Sequence, residues 1–328
     1  MLLPGAGPLL PEQAGRDPAA VEVGAALAAA PRVAVVPHVL PDLDALASAA
    51  ALAAALRRAG RDAWVLAPER PALHAWVVDP DLVAEAGPAG DCLRVAVDTA
   101  RPDRLQVPGP VAVNLDHHED NPGYGACNWV RSAPSCTCLV AAVGLALGVA
   151  PDPALATVLY AGLYGDTEGF RVHLDPAAFA WAQAFVAAGA DAEGVAERFH
   201  RRSPGFWRYL AAVAERERAL PGPVPCRVFP VPAALPQAFP LEPFEAALLP
   251  SHLTPPAGGV VVILQEGRDT VRFRLRSRGV DLLPLAHALG GGGHPQAAGV
   301  VLRGVTLEQA LARLEAAWSQ VVGASRRT

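Results

Sequence analysis

The chain has 328 residues, of which 52% are hydrophobic, and its formal net charge is −5 at pH 7. This length is enough for two domains that each bury a core of their own. The acidic balance disfavours sequence-independent binding of long nucleic-acid duplexes, which depends on many cationic contacts.

The first two-thirds of the chain alternates short β-branched runs with helical patterns, which is typical of βαβ units and a mainly parallel sheet. Strands are predicted at residues 32–37, 63–67, 93–97 and 111–115. Helices are predicted at residues 45–59, 137–147, 153–163, 176–188 and 192–202. Ligands of open parallel sheets bind beyond the carboxyl ends of the strands, so side chains that follow these strands are candidates for one shared site.

The pattern changes after residue 205. A charged helix is predicted at 206–220, and a proline-rich segment then marks the entry to a second unit. In that unit we predict strands at 226–231, 259–264, 271–275 and 299–302, with helices at 282–289 and from residue 307. The fold class is therefore α/β. We assign an N-terminal domain to 1–202, a helical and proline-rich linker to 203–225, and a smaller α/β domain to 226–328.

Composition also suggests a compartment. The five cysteines are odd in number and have no paired spacing, so we expect buried or half-buried thiols in a reducing cytosol. The N-terminal residues lack the basic start and continuous apolar core of a signal peptide, and the Ala-rich segment 45–56 is too short to span a bilayer. All 27 basic residues are arginines, which suits phosphate recognition, although a GC-rich genome is the simpler explanation. We expect a soluble cytoplasmic protein without membrane binding.

Polar, metal-competent side chains follow the predicted strands. His38, Asp42 and Asp44 come after the first strand, Asp98 closes the third, and Asp166 follows a helical apolar run. Carboxylates and imidazoles bind divalent cations, and one carboxylate can bridge two of them. Each residue also has a plain structural alternative, in which Asp44 caps the following helix and Asp98 and Asp166 cap turns.

Asp116, His117 and His118 follow the fourth predicted strand directly. Three adjacent side chains of this kind are difficult to bury at a strand end, because each needs hydrogen-bond partners, unless they bind a ligand. We expect His117 to ligate a metal, Asp116 to orient the imidazoles, and His118 to face a substrate. With the preceding carboxylates they indicate a two-metal site.

The C-terminal unit contains the glycine run 290–293 followed by His294. Consecutive glycines let the backbone approach an anion and present N–H groups to it, and the histidine adds a hydrogen bond or a charge. A flexible turn is the structural alternative. Arg276 and Ser277 end a predicted strand nearby in sequence, where the arginine could grip a terminal phosphate.

Taken together, these segments resemble the DHH phosphoesterase family in its form with a C-terminal DHH-associated domain, and are most similar to its nanoRNase group. HVLPDLDALAS, VAVDTA, NLDHHEDNPGYGACNWV and LYGDTEGFR match the four family motifs in order, and RFRLRSRGVDLLPLAHALGGGGHPQAAG is similar to the substrate-binding signature. Leu43 stands where the family usually has glycine, and Glu168 and Cys138 also depart from its pattern. None of these departures removes a proposed ligand.

The resemblance implies two Mn²⁺ ions, with Mg²⁺ or Co²⁺ as other candidates. One ion would be held by His38, Asp42, Asp98 and Asp166, and the other by Asp44, Asp98, His117 and Asp166. His118 would contact the scissile phosphate, with Asp116 as its catalytic companion. The nucleotide would be bound by Arg276, Ser277, Gly292, Gly293 and His294.

The activity implied is Mn-dependent hydrolysis of short oligoribonucleotides to mononucleotides, together with dephosphorylation of pAp, by two-metal activation of water. The partners expected are therefore short RNA and pAp or related nucleotides, and a homodimer is expected as the assembly. A phosphodiesterase acting on c-di-AMP or pApA stays open as an alternative, because the same motifs serve it. A catalytically silent nucleotide sensor is the alternative from a different class, although such a module would not need two bridged metals.

Overall fold

A computed structural model of the protein describes residues 9–84, 91–242 and 245–324. Contacts divide the chain into two units, Met1–Arg201 and Arg202–Thr328. Across the described ranges, no helix combines the length and the apolar character needed to cross a membrane.

The first unit alternates strands and helices. Its strands are β1 (Arg32–Val36), β2 (Asp62–Val65), β3 (Leu93–Val97), β4 (Val113–Asp116) and β5 (Cys127–Val130). Its α-helices are α1 (Pro11–Ala14), α2 (Pro18–Ala29), α3 (Leu43–Arg58), α4 (Cys136–Ala146), α5 (Pro153–Asp166), α6 (Pro176–Ala187) and α7 (Ala192–His200). Short 3₁₀ turns lie at Ala75–Val77, Pro80–Leu82 and Pro102–Arg104.

The five strands form one sheet in the order β2-β1-β3-β4-β5, and every neighbouring pair is parallel. The prediction of an α/β fold with a mainly parallel sheet is confirmed. The edge strand β5 and the helices α1 and α2 were not predicted. Register places Asp116, the last residue of β4, opposite Val130 of β5, so the carboxyl ends of neighbouring strands lie at one edge.

Helices α3 and α4 pack on one face of this sheet, α5 packs against both of them, and the three helices enclose the larger core of the unit. Helix α3 is rich in alanine, the strongest helix former, and carries Asp42 as its N-cap and Arg57 and Arg58 in its last turn. Alanines and glycines in the three helices let their backbones approach closely. The opposite face carries a smaller cluster that includes Trp64 and Leu105.

The second unit contains helices α8 (Pro204–Ala214), α9 (Leu249–His252), α10 (Leu283–Ala288) and α11 (Leu307–Ala324). Its strands are β6 (Arg218–Leu220), β7 (Cys226–Val231), β8 (Val260–Glu266), β9 (Thr270–Ser277), β10 (Gly292–His294) and β11 (Ala297–Arg303). Further 3₁₀ turns occupy Pro236–Ala238 and Glu245–Leu248. The sheet order is β10-β11-β9-β8-β7-β6, in which only β7 and β8 pair in parallel among the strands described.

The helix predicted at 206–220 was wrong at its C-terminal end. Helix α8 stops at Ala214, and Arg218–Leu220 instead pairs antiparallel with β7, with Leu220 opposite Cys226. Phe206 of α8 packs in one cluster with Phe229 of β7. The segment 203–225 thus contributes α8 and β6 to the second unit.

Candidate active site

Three polar loops meet where β1, β3 and β4 end. His38 lies just beyond β1, Asp98 just beyond β3, and Asp116 ends β4 with His117 and His118 after it. Asp42 and Asp44 reach the same place from the start of α3, and Asp166 from the end of α5. The fold therefore gathers all eight residues that the sequence analysis proposed for metal binding and catalysis.

A first group of donors consists of His38, Asp42 and Asp98. The His38 Nε2 atom lies 3.9 Å from Asp42 Oδ2 and 3.9 Å from Asp98 Oδ2. Its Nδ1 atom is 2.8 Å from the Val39 carbonyl oxygen, so an Nδ1–H donated there leaves the Nε2 lone pair facing the two carboxylates.

A second group consists of Asp44, His117 and Asp166. The His117 Nε2 atom lies 4.0 Å from Asp44 Oδ2, 3.6 Å from Asp166 Oδ2 and 3.3 Å from Asp98 Oδ1. One oxygen of Asp98 thus approaches each group, which is the arrangement of a bridging carboxylate. Asp166 lies with the second group, and no donor group among the described residues joins it to His38.

Asp98 is both strained and unsatisfied. Its φ of 49° is in the left-handed region that favours glycine. The residue is 3% exposed, and its buried Oδ1 atom has no hydrogen-bond partner among the described residues. Burying a carboxylate oxygen in this state is costly, and a cation would offset that cost.

The donor set also fits divalent cations. Two ligands at about 2.1 Å from one cation and at a right angle are about 3.0 Å apart. The distances of 3.6–4.0 Å within the two groups need only a small inward movement to reach that value. Hard carboxylate oxygens with imidazoles favour Mn²⁺, Mg²⁺ and related ions.

Asp44 is held by the N-terminus of α4. Its Oδ2 accepts a hydrogen bond of 2.7 Å from the Cys136 N–H, and its Oδ1 accepts one of 3.2 Å from the Thr137 N–H. These donors orient the carboxylate, and the helix dipole stabilises its charge. The structural alternative of Asp44 as the cap of its own helix is wrong, because Asp42 caps α3 by accepting from the Ala45 N–H at 3.0 Å.

The His117 ring is held in place through the nitrogen that points away from the carboxylates. Its Nδ1 lies 3.0 Å from the Ala133 carbonyl oxygen, to which it donates, and this hydrogen bond selects the tautomer with a free Nε2. That nitrogen is the atom that faces Asp44, Asp98 and Asp166.

Asp116 supports both histidines without facing the carboxylate groups itself. Its Oδ1 accepts from the His117 N–H at 2.8 Å and lies 2.8 Å from His118 Nδ1, while its Oδ2 accepts from Asn121 Nδ2 at 2.6 Å. Asp116 is fully buried, whereas the His118 side chain is 46% exposed. The second ring nitrogen of His118 is therefore available to an incoming ligand.

The excess of carboxylates perturbs their ionisation. Burial and the charges of Asp98 and Asp166 raise the pKa of Asp44 well above its ordinary value. Burial raises the pKa of Asp166 to about 7, opposed by the charge of His117 and assisted by that of Asp98. Burial disfavours a charged His117, but the close approach and charge of Asp98 outweigh it and raise the pKa of the imidazole well above its ordinary value. The positive charge of bound divalent cations would oppose the upward pKa shifts of the carboxylates, so metal binding and proton release are coupled here.

Backbone strain is concentrated around these ligands. All non-glycine residues with positive φ in the described ranges lie in the loops that carry candidate ligands. They are Leu40, Asp98, Glu168, Phe170 and His173. Strain of this kind persists only where surrounding structure enforces it, and it clusters at functional sites.

Several supporting groups were missed by the sequence analysis. Asn121 bonds to Asp116 and also to Asn114 Oδ1 at 2.8 Å, and Gly162 leaves room for the Asp44 carboxylate. Both asparagines are buried and lie close to the Asp-His-His segment in the sequence. That closeness is the sequence feature from which their supporting role could have been predicted. Nothing in the sequence pattern marks Gly162.

The proposed substrate residues of the second unit divide between two faces of its sheet. Arg276 lies opposite Ala297, which lies opposite His294, so these side chains share one face with Gly292. Ser277 and Gly293 belong to the other face. The Ser277 hydroxyl donates to the carbonyl oxygens of Val280 and Pro295, and Pro295 begins the turn that follows His294, so Ser277 helps to hold that turn in place.

Comparison with known proteins agrees with this architecture. The DHH family N-terminal domain matches residues 32–163, and the DHHA1 domain matches residues 252–322. The chain is 31% identical over 307 residues to the bifunctional oligoribonuclease and PAP phosphatase NrnA of Thermus thermophilus, covering 84% of this chain and 86% of that protein.

Two solved structures show the same fold. An exopolyphosphatase-related protein from Bacteroides fragilis superimposes with a TM-score of 0.75 at 17% identity, covering 95% of this chain and 98% of the other. A DHH domain described as a member of a family of ribosomal proteins gives a TM-score of 0.58 at 14% identity, with coverages of 97% and 94%. From the matched domains and the NrnA relative, we conclude that the chain belongs to the DHH family of phosphoesterases, with a C-terminal DHHA1 domain.

Proposed function

We propose that this protein hydrolyses short oligoribonucleotides to mononucleotides and dephosphorylates pAp. The observation that carries the proposal is Asp98, whose two oxygens approach two separate carboxylate–imidazole groups. A paired donor set of this kind suits hydrolysis of a phosphoester. The name of the NrnA relative, an oligoribonuclease and PAP phosphatase, supports the choice of substrates.

Two divalent cations, which we propose to be Mn²⁺, would supply Lewis acidity toward the phosphate and activate water for attack on phosphorus. His38, Asp42 and Asp98 would hold one ion, and Asp44, Asp98 and His117 would hold the other. Asp166 would bridge both. Its Oδ2 atom, 3.6 Å from His117 Nε2, supports its place in the second set, and its place in the first set rests on the family resemblance.

His118 would face the phosphate. Its hydrogen bond to Asp116 raises the pKa of the imidazole, so the ring carries positive charge over a wider pH range. With Nδ1 donating to Asp116, the other ring nitrogen can donate to a phosphate oxygen and stabilise charge that develops there. Asp116 would act by holding this ring and the His117 backbone in place.

The second unit would bind the nucleotide. Arg276 and His294 share a face of the sheet with Gly292, whose position is open and would let a ligand approach the backbone. Gly293 has a φ of 139° and leaves no room for a side chain, so it keeps the strand in the shape that presents His294.

The test is hydrolysis by purified, metal-stripped protein after Mn²⁺ is restored. The substrates are a 5′-labelled RNA trimer, pAp, pApA, c-di-AMP and pyrophosphate. Release of mononucleotides from the trimer together with cleavage of pAp is the expected result. Exclusive use of c-di-AMP or pApA would replace the proposal with a second-messenger phosphodiesterase, and Mn²⁺ binding without any turnover would replace it with a nucleotide sensor.

Alanine at Arg276 or His294 provides a second test. Both changes should raise KM for the trimer while leaving Mn²⁺ binding intact, because neither residue belongs to a donor group. Loss of Mn²⁺ binding in either variant would contradict this division of roles.

A further inference from the structure

Leu40 lies in the loop between His38 and Asp42, and its backbone conformation is unfavourable for its residue type. Its φ of 50° is in the left-handed region, where a Cβ atom is crowded and glycine or asparagine is preferred. Pro41 follows it, and a proline favours an extended conformation in the residue before it. Both effects oppose the observed conformation, so a leucine at this position lowers the stability of the folded chain.

Packing within the chain does not offset this loss of stability. Leu40 is 57% exposed, and the neighbouring Val39 is 37% exposed. Neither side chain belongs to a hydrophobic core cluster of the described residues. A single exposed leucine is ordinary, but one whose backbone is also strained gains no burial in return. Folding of the chain alone therefore does not account for a leucine here.

The conformation of the loop does not require the leucine side chain either. The Val39 N–H donates to the Arg104 carbonyl oxygen at 2.7 Å, and the Val39 carbonyl oxygen lies 2.8 Å from His38 Nδ1. Both contacts use backbone atoms of Val39, so glycine or asparagine at position 40 would keep them with less strain. The loop thus needs a residue that accepts a positive φ, and leucine is a poor choice for that purpose.

Leu40 lies beside the open part of the candidate active site. Successive Cα atoms are 3.8 Å apart, so the Leu40 Cα is at most about 7.6 Å from the Cα atoms of His38 and Asp42. The Asp42 side chain is 62% exposed and the His118 side chain is 46% exposed, so a ligand can enter from solvent. The base is the largest apolar surface of a nucleotide and is joined to the phosphate through one sugar. A phosphate held at the donor groups would therefore bring a base within reach of Leu40.

We propose that Leu40, assisted by Val39, contacts the face of a nucleobase next to the scissile phosphate, and so selects nucleotides over other phosphate esters. This inference rests on the proposed function and adds a residue that determines its substrate class. An apolar contact makes no hydrogen bond to a base edge, so it depends on the presence and size of a base and not on its identity. Purines, which have the larger face, should bind more tightly than pyrimidines.

The experiment changes the enzyme and the substrate together. Leu40→Asn and Leu40→Gly keep a residue that accepts the left-handed conformation and remove the apolar side chain. Hydrolysis in Mn²⁺ is measured with pApA and with two analogues, in each of which one of the two adenosines is replaced by an abasic ribose. Both variants should raise KM for pApA about tenfold and keep kcat within about twofold of the wild type, because a contact made equally in the ground state and the transition state is lost. For one of the two abasic analogues, KM should not change.

Stability and metal binding separate this role from a purely structural one. Leu40→Asn should raise the Tm of the full chain in EDTA by about 2–4 °C, because it relieves backbone strain, and should bind Mn²⁺ as the wild type does. Val186→Asn is the matched control, since Val186 of α6 is an apolar residue that is 49% exposed. It should change neither KM nor Mn²⁺ binding.

An unchanged KM for pApA in both Leu40 variants would overturn the proposal, and so would an equal increase in KM for pApA and both abasic analogues. Loss of Mn²⁺ binding in both variants would also overturn it, because Leu40 would then act through His38. The substrate pApA serves the proposed function and its second-messenger alternative alike. If the wild type binds Mn²⁺ without hydrolysing pApA, the proposed function fails, and Kd from calorimetric titration replaces KM in the same comparison. A loss of pApA affinity that disappears with one abasic analogue would then support the base contact without hydrolysis.

Discussion

The packing between helices α4 and α5 predicts a sharp effect of one methyl group. Gly162 of α5 faces Thr137 and Asp44, and a Cβ built on it would lie 2.6 Å from Asp44 Oδ1 and even closer to the Thr137 side chain. Asp44 is restrained because it accepts hydrogen bonds from two backbone N–H groups of α4, and the Thr137 hydroxyl is held by its hydrogen bond to the Ser135 hydroxyl at 2.7 Å. The substitution Gly162→Ala therefore forces α5 away or displaces the carboxylate.

The magnitude follows from two opposed effects. Alanine in a helix interior is more stable than glycine by about 1 kcal/mol, whereas overpacking a close-packed core costs about 1–3 kcal/mol. We therefore expect Gly162→Ala to lower the free energy of unfolding of the metal-free protein by up to about 2 kcal/mol. Because Asp44 is a candidate ligand, Mn²⁺ binding should weaken by about 10–100-fold, as for other changes that displace the support of a ligand.

A matched substitution exists in the adjacent helix. Gly144 of α4 is also buried, but a Cβ there would meet its nearest atoms, the Val149 carbonyl oxygen and the Ala55 Cβ, at 3.6 and 3.7 Å. These are ordinary contact distances. Gly144→Ala should therefore raise the free energy of unfolding by about 0.5–1 kcal/mol and leave Mn²⁺ binding unchanged.

The assay compares the two variants with the wild type by urea unfolding in EDTA and by calorimetric titration with Mn²⁺. Opposite signs of the stability change, with weaker metal binding in Gly162→Ala alone, are expected. Equal stability of the two variants together with wild-type Mn²⁺ affinity in Gly162→Ala would refute the close approach of α5 to Asp44.

Three further outcomes are expected. Asp98→Ala should abolish both turnover and binding of the second Mn²⁺ ion, since its oxygens approach both donor groups; activity of this variant in Mn²⁺ would contradict the bridge. Asn121→Ala removes the hydrogen bond to one oxygen of buried Asp116 and should lower kcat with little change in KM. Asn121→Asp is the companion variant, which keeps the side-chain shape and adds a charge. In the metal-free protein, the raised pKa of Asp166 means that the stability contributed by its protonated form is present at acidic pH and is lost as the pH rises through about 7. Thermal unfolding in EDTA should show this loss of stability, and Asp166→Asn should make stability less dependent on pH. The Mn²⁺ affinity of the wild type should rise over the same pH range.

Much of the candidate site was predictable because it depends on local order along the chain. His38, Asp98 and Asp116 each follow an apolar run with the period of a strand, and the ends of parallel strands meet at one edge. Their meeting therefore follows once the α/β alternation is recognised. Resemblance to a known family added the division of the ligands between two metals.

Secondary structure was predicted less well where tertiary contacts outweigh local propensity. Residues 206–220 have the composition of one continuous helix, yet Arg218–Leu220 pairs with β7 as an edge strand. The short strand Cys127–Val130 has no alternation that separates it from a loop, and its pairing with β4 identifies it.

The sequence by itself determined which side chains could bind cations and at which strand ends they stand, because residue type and hydrophobic period are local properties. Only the tertiary structure decided that the N-terminus of α4 holds Asp44 and that the Ala133 carbonyl oxygen fixes the His117 ring. Each of these depends on which backbone group comes within hydrogen-bonding distance of the side chain. The partners lie 92 and 16 residues apart in the chain, so packing in three dimensions selects them.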